Sequence, residues 1–227
     1  MTSLTSPDVP SLAERDLRQR EIVPPEKLAA CKVTVIGVGA IGRQVALQLA
    51  AMGVPWLQLW DFDAVEVVNL APQGYFPGDL GLPKVDATAT LLRQINPVME
   101  VWPMLERFRR STKACGNVVF VCVDSIETRK LIWETLKHKV NFLCDGRMST
   151  EVLRVLTASE HPSREHYPTT LFTAAEAFHG ACTAKSTIYC ASIAAGVMVG
   201  QFTKWLRGMP CDRDVTLNLL ATELSVV

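Results

Sequence analysis

The 227-residue sequence contains no C-x-x-C pair: its seven cysteines stand at 31, 115, 122, 144, 182, 190 and 211. That spacing gives no paired zinc knuckle, and an odd, irregular set is unlike the even framework of a small disulfide-stapled secreted domain. Reduced thiols in a cytoplasmic setting are the expectation. An excess of one charge is also lacking. Lysine plus arginine and aspartate plus glutamate number 23 each, so bulk electrostatics supply no attraction for nucleic acid or an anionic membrane. The N-terminal stretch MTSLTSPDVPSLAERDLRQRE has no apolar segment of the kind a secretory signal needs. One uncharged run, the 18 residues between Lys185 and Lys204, reaches the lower limit for a membrane span, but Ser186, Thr187, Ser192, Gly196, Gly200 and Gln201 interrupt it. A buried helix is therefore expected there. Internal repeats and low-complexity tracts are absent.

What is present is a hydrophobic share of 48%, ample for one sizeable core. Residues 1–25 read as an N-terminal arm closed by Pro24-Pro25, and 26–227 as a single nucleotide-binding domain. The β-branched run Lys32–Gly37 predicts a buried parallel strand, followed by a helix over Ile41–Met52 that stops at Gly53. Trp56–Trp60, Val98–Leu105, Val118–Val123, Val140–Asp145 and Glu151–Thr157 read as further strands, with helices over Lys84–Ile95, Ile126–His138 and Thr183–Leu206. Residues 61–83 read as a long functional loop, 158–181 as a surface crossover loop, and 212–227 as a returning strand. This alternation predicts an α/β fold: a doubly wound, mainly parallel, Rossmann-like sheet with an apolar C-terminal helix and added strands.

Gly37-Val38-Gly39-Ala40-Ile41-Gly42 is a G-x-G-x-x-G that leaves a strand and opens a helix. In that context glycine lets backbone N–H groups approach phosphate oxygens, and the helix N-terminus adds a favourable field. Asp61 follows 19 residues after Gly42, at the end of the next strand, where a carboxylate can accept hydrogen bonds from ribose hydroxyls. A nicotinamide oxidoreductase shares these features, and a ligand-free tight turn is the bland alternative. Lys84 favours a triphosphate, because a cation in the first turn of a helix is unfavourable without an anion nearby.

Further residues give the chain a resemblance to the superfamily of ubiquitin-activating enzymes and of the bacterial adenylyltransferases that serve molybdopterin and thiamine biosynthesis. Arg15-Asp16-Leu17-Arg18-Gln19 is similar to that family's R-x-x-R-Q arm. Asp61-Phe62-Asp63 with Asn69-Leu70 and Gln73 resembles its D-F-D-x-V-x-x-x-N-L-x-R-Q loop, Pro83-Lys84 its helix-start lysine, and Asp124 with Arg129 its D-x-x-x-x-R element. The resemblance runs from about Arg15 to the apolar helix. It implies an ATP- and Mg²⁺-dependent adenylyltransferase acting on the C-terminal glycine of a small ubiquitin-like (β-grasp) or sulfur-carrier protein, as a homodimer. In that reading Gly37, Gly39, Gly42, Asp61, Asp63, Asn69, Gln73 and Lys84 hold the nucleotide. Lys84 and Arg18, the latter from its own or from a second subunit, neutralise the triphosphate, Asp124 holds Mg²⁺, and the crossover loop covers the partner's tail.

The sequence departs from the family pattern in two places: the loop arginine is replaced by Pro72, with Arg43 as a substitute cation, and the zinc knuckle of many bacterial relatives is missing, so no zinc is expected. The proline leaves a non-catalytic, partner-binding scaffold as a further alternative. Cys182 reads equally as an acyl-accepting nucleophile or as a packed thiol. Asp124 reads equally as a helix N-cap or as a metal ligand. His161, His166 and His179 show no metal-ligand rhythm and read as solvated or partner-facing.

Overall fold

Short apolar runs form the centre of an eight-stranded sheet. In the computed structural model, which describes residues 14–112, 115–172 and 186–227, strands Val33–Ile36 (β1), Trp56–Asp61 (β2), Glu100–Leu105 (β3), Val118–Val121 (β4) and Phe142–Ser149 (β5) run parallel in the order β3-β2-β1-β4-β5. Val152–Ala158 (β6), Asp214–Asn218 (β7) and Glu223–Val226 (β8) extend it antiparallel, so the expected returning strand at the C-terminus is a hairpin.

Register sorts the side chains. Val33 lies opposite Leu57 and Val118, and Val35 opposite Leu59 and Phe120. These residues pack under three helices of one face: Ala40–Met52 (α2), Lys84–Ile95 (α4) and Ile188–Leu206 (α7). Ile36, Val119, Val121 and Leu143 turn to the other face, beneath Ile132, Trp133 and Leu136 of Ile126–Leu136 (α5). A sheet covered on both faces explains why its inner strands read as continuous apolar runs. The expected uncharged helix is α7, with Cys190, Ala194, Met198 and Phe202 buried. Among the described residues no helix is long and apolar enough to cross a membrane.

The arm is tied to the body. After its turns a short helix, Pro25–Ala29 (α1), leads into β1. Arg15 donates to the carbonyls of Ala50, at 2.7 Å, and Ala51, and Gln19 to that of Met52, so these side chains satisfy carbonyls left open at the end of α2.

Residues 158–172 correct the expectation of a surface crossover loop. His161–His166 is a short helix (α6), and Tyr167–Thr170 a 3-10 turn. Pro162 and Pro168 start these turns, since proline at a first helical position forfeits no internal hydrogen bond. Tyr167 is 1% exposed, stacks 4.9 Å from Trp133 and donates to Asp145 at 3.0 Å. Residues 158–172 are thus anchored to the body. Residues 173–181 of the expected loop lie outside the described residues. His166 is likewise not simply solvated: its Nε2 meets Asp214 at 2.9 Å.

Candidate active site

Strand order reverses direction between β1 and β4, and open α/β sheets bind ligands at the carboxyl ends of such strands. There the chain leaves β1 into Gly37 and β4 into Cys122, and a cleft of about 580 Å³ opens beyond them. That volume suits a small ligand. Gly37, Gly39, Asp61, Gln73, Lys84 and Asp124 all line it.

The glycine turn is dictated by contact on one side and by open space on the other. Gly37 has φ +87°, and a Cβ there would lie 2.7 Å from the Cys122 carbonyl oxygen. A Cβ on Gly42 would overlap the Gly37 carbonyl. Gly39 differs, because its nearest neighbour would be Gln73 Oε1 at 4.0 Å, so its missing side chain keeps the approach to the α2 N-terminus clear. Tyr75 supports the turn from below, donating to the Val38 carbonyl at 2.7 Å and sharing a hydrogen bond with Thr88 at 3.1 Å.

Asp61 accepts from Val38 N–H at 2.8 Å and from Asp63 N–H at 2.9 Å, which fixes the carboxylate at the end of β2. Burial pushes its carboxyl above the usual range, and the two backbone bonds partly offset this. Lys84, 6% exposed in the first turn of α4, pairs with Asp63 at 3.2 Å, so these two residues neutralise each other at the cleft wall. Ser125, and not Asp124, caps α5 by accepting from Thr128 N–H. Asp124 is left exposed at the cleft rim with its carboxylate unused by the cap. Among the described residues no group of three or more His, Cys, Asp or Glu side chains could hold a metal. A carboxylate at the cleft rim does suit Mg²⁺ shared with phosphate oxygens, since that ion keeps water and substrate ligands.

Gly42 sits behind the lining, packed on Gly37, and two expected polar residues also lie elsewhere. Asn69 does not line the cleft; its side-chain oxygen accepts from Glu66 N–H and shapes the 3-10 turn Val67–Asn69 ahead of Leu70–Gln73 (α3). Arg18 is exposed on the arm, which contacts the far end of α2, so a 13-residue helix of about 20 Å separates it from its own glycine turn. Cys182 lies outside the described residues. Cys122 reaches the cleft, but burial pushes its thiol up to about 12, a neutral group rather than a nucleophile.

Sequence reasoning missed several supports. Asp145 is fully buried between Arg129 and Arg147, with Arg147 Nε at 2.9 Å, and Arg129 also donates to the carbonyls of Val123 and of Gly146, the latter at 3.2 Å. This cluster fixes the β4–α5 connection that carries Asp124. Arg107 stacks on Phe62, 3.6 Å from the ring centroid, at another wall of the cleft. Tyr75 had a readable signal as an aromatic residue inside a glycine- and proline-rich loop. Of the Asp145 cluster only Arg129 had a signal, in its spacing from Asp124; Asp145 and Arg147 had none, because they meet it only in the folded chain.

Solved structures share this architecture. PaaA superposes with a TM-score of 0.78 at 20% identity, over 100% of this chain and 77% of that one. MccB of E. coli, solved with ATP, superposes at 0.70 with 16% identity, over 89% of this chain and 65% of that one. Among curated proteins, the molybdopterin-synthase adenylyltransferase of Haemophilus influenzae is 32% identical over 118 residues, covering 50% of this chain and 49% of its own length. The adenylyltransferase and sulfurtransferase MOCS3 of Bos taurus is 35% identical over 136 residues, 54% of this chain and 30% of its own. Ubiquitin-like modifier-activating enzyme 5 of Culex quinquefasciatus is 32% identical over 123 residues, 47% of this chain and 31% of its own. The chain thus spans half or less of the length of these curated relatives. The ThiF family model matches residues 15–224, from the arm into β8, and the chain belongs to the ThiF family.

Proposed function

We propose that this chain is an ATP-dependent adenylation domain that activates the C-terminal carboxylate of a small ubiquitin-like or sulfur-carrier protein. The observation that carries the reading is the convergence of a clear glycine turn, a fixed acid (Asp61), a buried cation (Lys84) and an exposed carboxylate (Asp124) around one cleft. Asp61 would accept from the ribose, and the α2 N-terminus with Lys84 would take the phosphates. Mg²⁺ held by Asp124 and phosphate oxygens would neutralise phosphate charge. The partner's carboxylate oxygen attacks the α-phosphorus, the bond to the bridging oxygen breaks, and pyrophosphate leaves with its electron pair, giving an acyl-adenylate. The chain's contribution is positioning and charge, each cation of this kind being worth about 3 kcal/mol in the transition state.

Arg18 can serve this cleft only from a second copy of the chain, which makes the active unit a homodimer. Cys182 would act after adenylation: its thiolate attacks the acyl carbon and AMP departs, leaving a thioester. A buried lysine beside the phosphate turn and membership of the ThiF family both favour triphosphate chemistry over a nicotinamide cofactor. The test is exchange of labelled pyrophosphate into ATP with a β-grasp protein ending in Gly-Gly. Exchange that depends on the carrier, on Mg²⁺ and on Lys84 supports the reading. Absence of both exchange and ATP binding by the wild-type chain would end it.

A further inference from the structure

The sheet has outer edges at β3 and β8, and a further stretch of strand edge lies inside the cleft. Strand β5 pairs with β4 only as far as Asp145, opposite Val121, and then continues through Gly146–Ser149 with β6 alone paired to it among the described residues. On the vacated side the chain has turned away through Cys122, Val123 and Asp124 into α5, and Gly146, Met148 and Ser149 line the cleft there.

Strand alternation decides which backbone groups point into that space. Thr157 N–H donates to the Arg213 carbonyl, on the side of β7. Successive residues of a strand turn their backbone groups to opposite edges, so Leu156, Arg154 and Val152 face β5 and use up Asp145, Arg147 and Ser149, their partners. Gly146 and Met148 therefore face the vacated side. The Gly146 carbonyl agrees with this, since it accepts from Arg129 Nη2, on α5, at 3.2 Å. Among the described residues nothing bonds the N–H or the carbonyl of half-buried Met148. Backbone groups at such depth call for a partner, and on a strand edge the natural one is another extended chain.

Where the edge leads says which chain. Its outer end, Ser149, is exposed. Its inner end is Gly146, where a Cβ would lie 3.2 Å from Cγ2 of Ile41, in the first turn of α2, and would overlap Met198 Sδ. The stretch between them is about 10 Å long, enough for three or four extended residues. A segment that enters with its carboxyl end leading runs antiparallel to β5 and carries that end to the turn assigned to the phosphates.

We propose that the edge of β5 at Gly146–Ser149 receives the C-terminal tail of the carrier protein as an added antiparallel strand, with Met148 exchanging both backbone hydrogen bonds with one residue of the tail. The assignment rests on the adenylation reading and says how its acyl substrate is held. Pairing of this kind reads an extended backbone through its main-chain groups. Crowding by Ile41 and Met198 at the inner end adds a preference for a terminal residue without a side chain.

The test uses a β-grasp protein ending in Gly-Gly and exchange of labelled pyrophosphate into ATP. Met148→Pro removes the free N–H without touching the ladder to β6, so the KM for the carrier should rise at least tenfold while the Kd of ATP·Mg²⁺ stays within twofold of wild type. In wild-type protein, which does not depend on how the proline variant folds, hydrogen exchange at the Met148 amide should be fast in the free and ATP-bound states and at least tenfold slower with saturating carrier. An unchanged KM in a folded Met148→Pro protein, an amide already protected without carrier, or one still exchanging fast when the carrier is bound and being adenylated would overturn the added strand and leave the adenylation reading standing. A wild type that neither binds ATP nor exchanges pyrophosphate would remove both.

Discussion

Replacing Lys84 by methionine keeps the buried stem and removes only the ammonium. Its cost to folding should be small, because Asp63, the carboxylate left behind, is 48% exposed and can rehydrate. Pairs with one solvated partner contribute about 0–1 kcal/mol, or a fall in Tm of at most about 4 °C for a chain of this length. The cost to catalysis should be much larger. A unit charge held about 4 Å from a phosphate oxygen, at an effective dielectric of about 20, contributes about 4 kcal/mol, and removal of one preorganised charge-stabilising donor typically costs about 10²–10³ in rate. With Lys84 only 6% exposed, solvent cannot replace it. Thermal unfolding and carrier-dependent pyrophosphate exchange, measured on the same preparation, separate the two effects. A folded Lys84→Met protein with kcat/KM within threefold of wild type would refute the placement of Lys84 against phosphate.

Three other outcomes are expected. Gly37→Ala should destabilise by about 2–4 kcal/mol, since its Cβ would meet the Cys122 carbonyl at 2.7 Å in a left-handed backbone, and an unchanged denaturant midpoint would contradict this. Arg129→Met should cost at most about 3–5 kcal/mol by removing one of the two guanidiniums on fully buried Asp145, which keeps Arg147 and Tyr167, whereas the double change with Asp145→Leu should recover part of the loss, as read by urea unfolding. Burial raises the Asp214 carboxyl, but hydrogen bonds from Arg154 and His166 outweigh it and hold the folded-state pKa below the ordinary value. Its contribution to stability is therefore present above the unfolded pKa of about 3.9 and lost as pH falls through the lower folded value. Asp214→Asn should flatten that acid limb of Tm against pH, and an acid limb of unchanged slope would count against the cluster.

Elements whose ends are marked by backbone chemistry were legible in the sequence. The helix expected over Lys84–Ile95 is α4 to the residue, because Pro83 fixes its entry and Asn96-Pro97 its exit. The Gly53 stop of α2 follows from its left-handed φ of 94°. The short helix α6 was not legible: its six residues carry no apolar period, and Tyr167, beyond its end, is what fastens the segment. In the cleft, Gly37, Asp61 and Lys84 could be placed from spacing alone, since each lies at a strand or helix end whose position the sheet sets. The second task of Asn69, closing a turn through Glu66 N–H, was not legible, because an amide that can reach a ligand can equally bond a nearby backbone N–H. Arg18 belongs to an arm whose direction is chosen by the open carbonyls of α2, a long-range bond that no local pattern announces.

The back-to-back contact of Gly37 with Cys122, and of Gly42 with Gly37, has a mechanical consequence. Backbone pressed on backbone makes the base of the cleft stiff, because neither loop can shift without the other and no side chain lies between them to be squeezed. Any accommodation on nucleotide entry is therefore confined to the outer margins, where half-exposed Phe62 and its stacked arginine can reorient at little expense to the core. Opening and closing in this protein would be asymmetric, with an immovable seat and a yielding border.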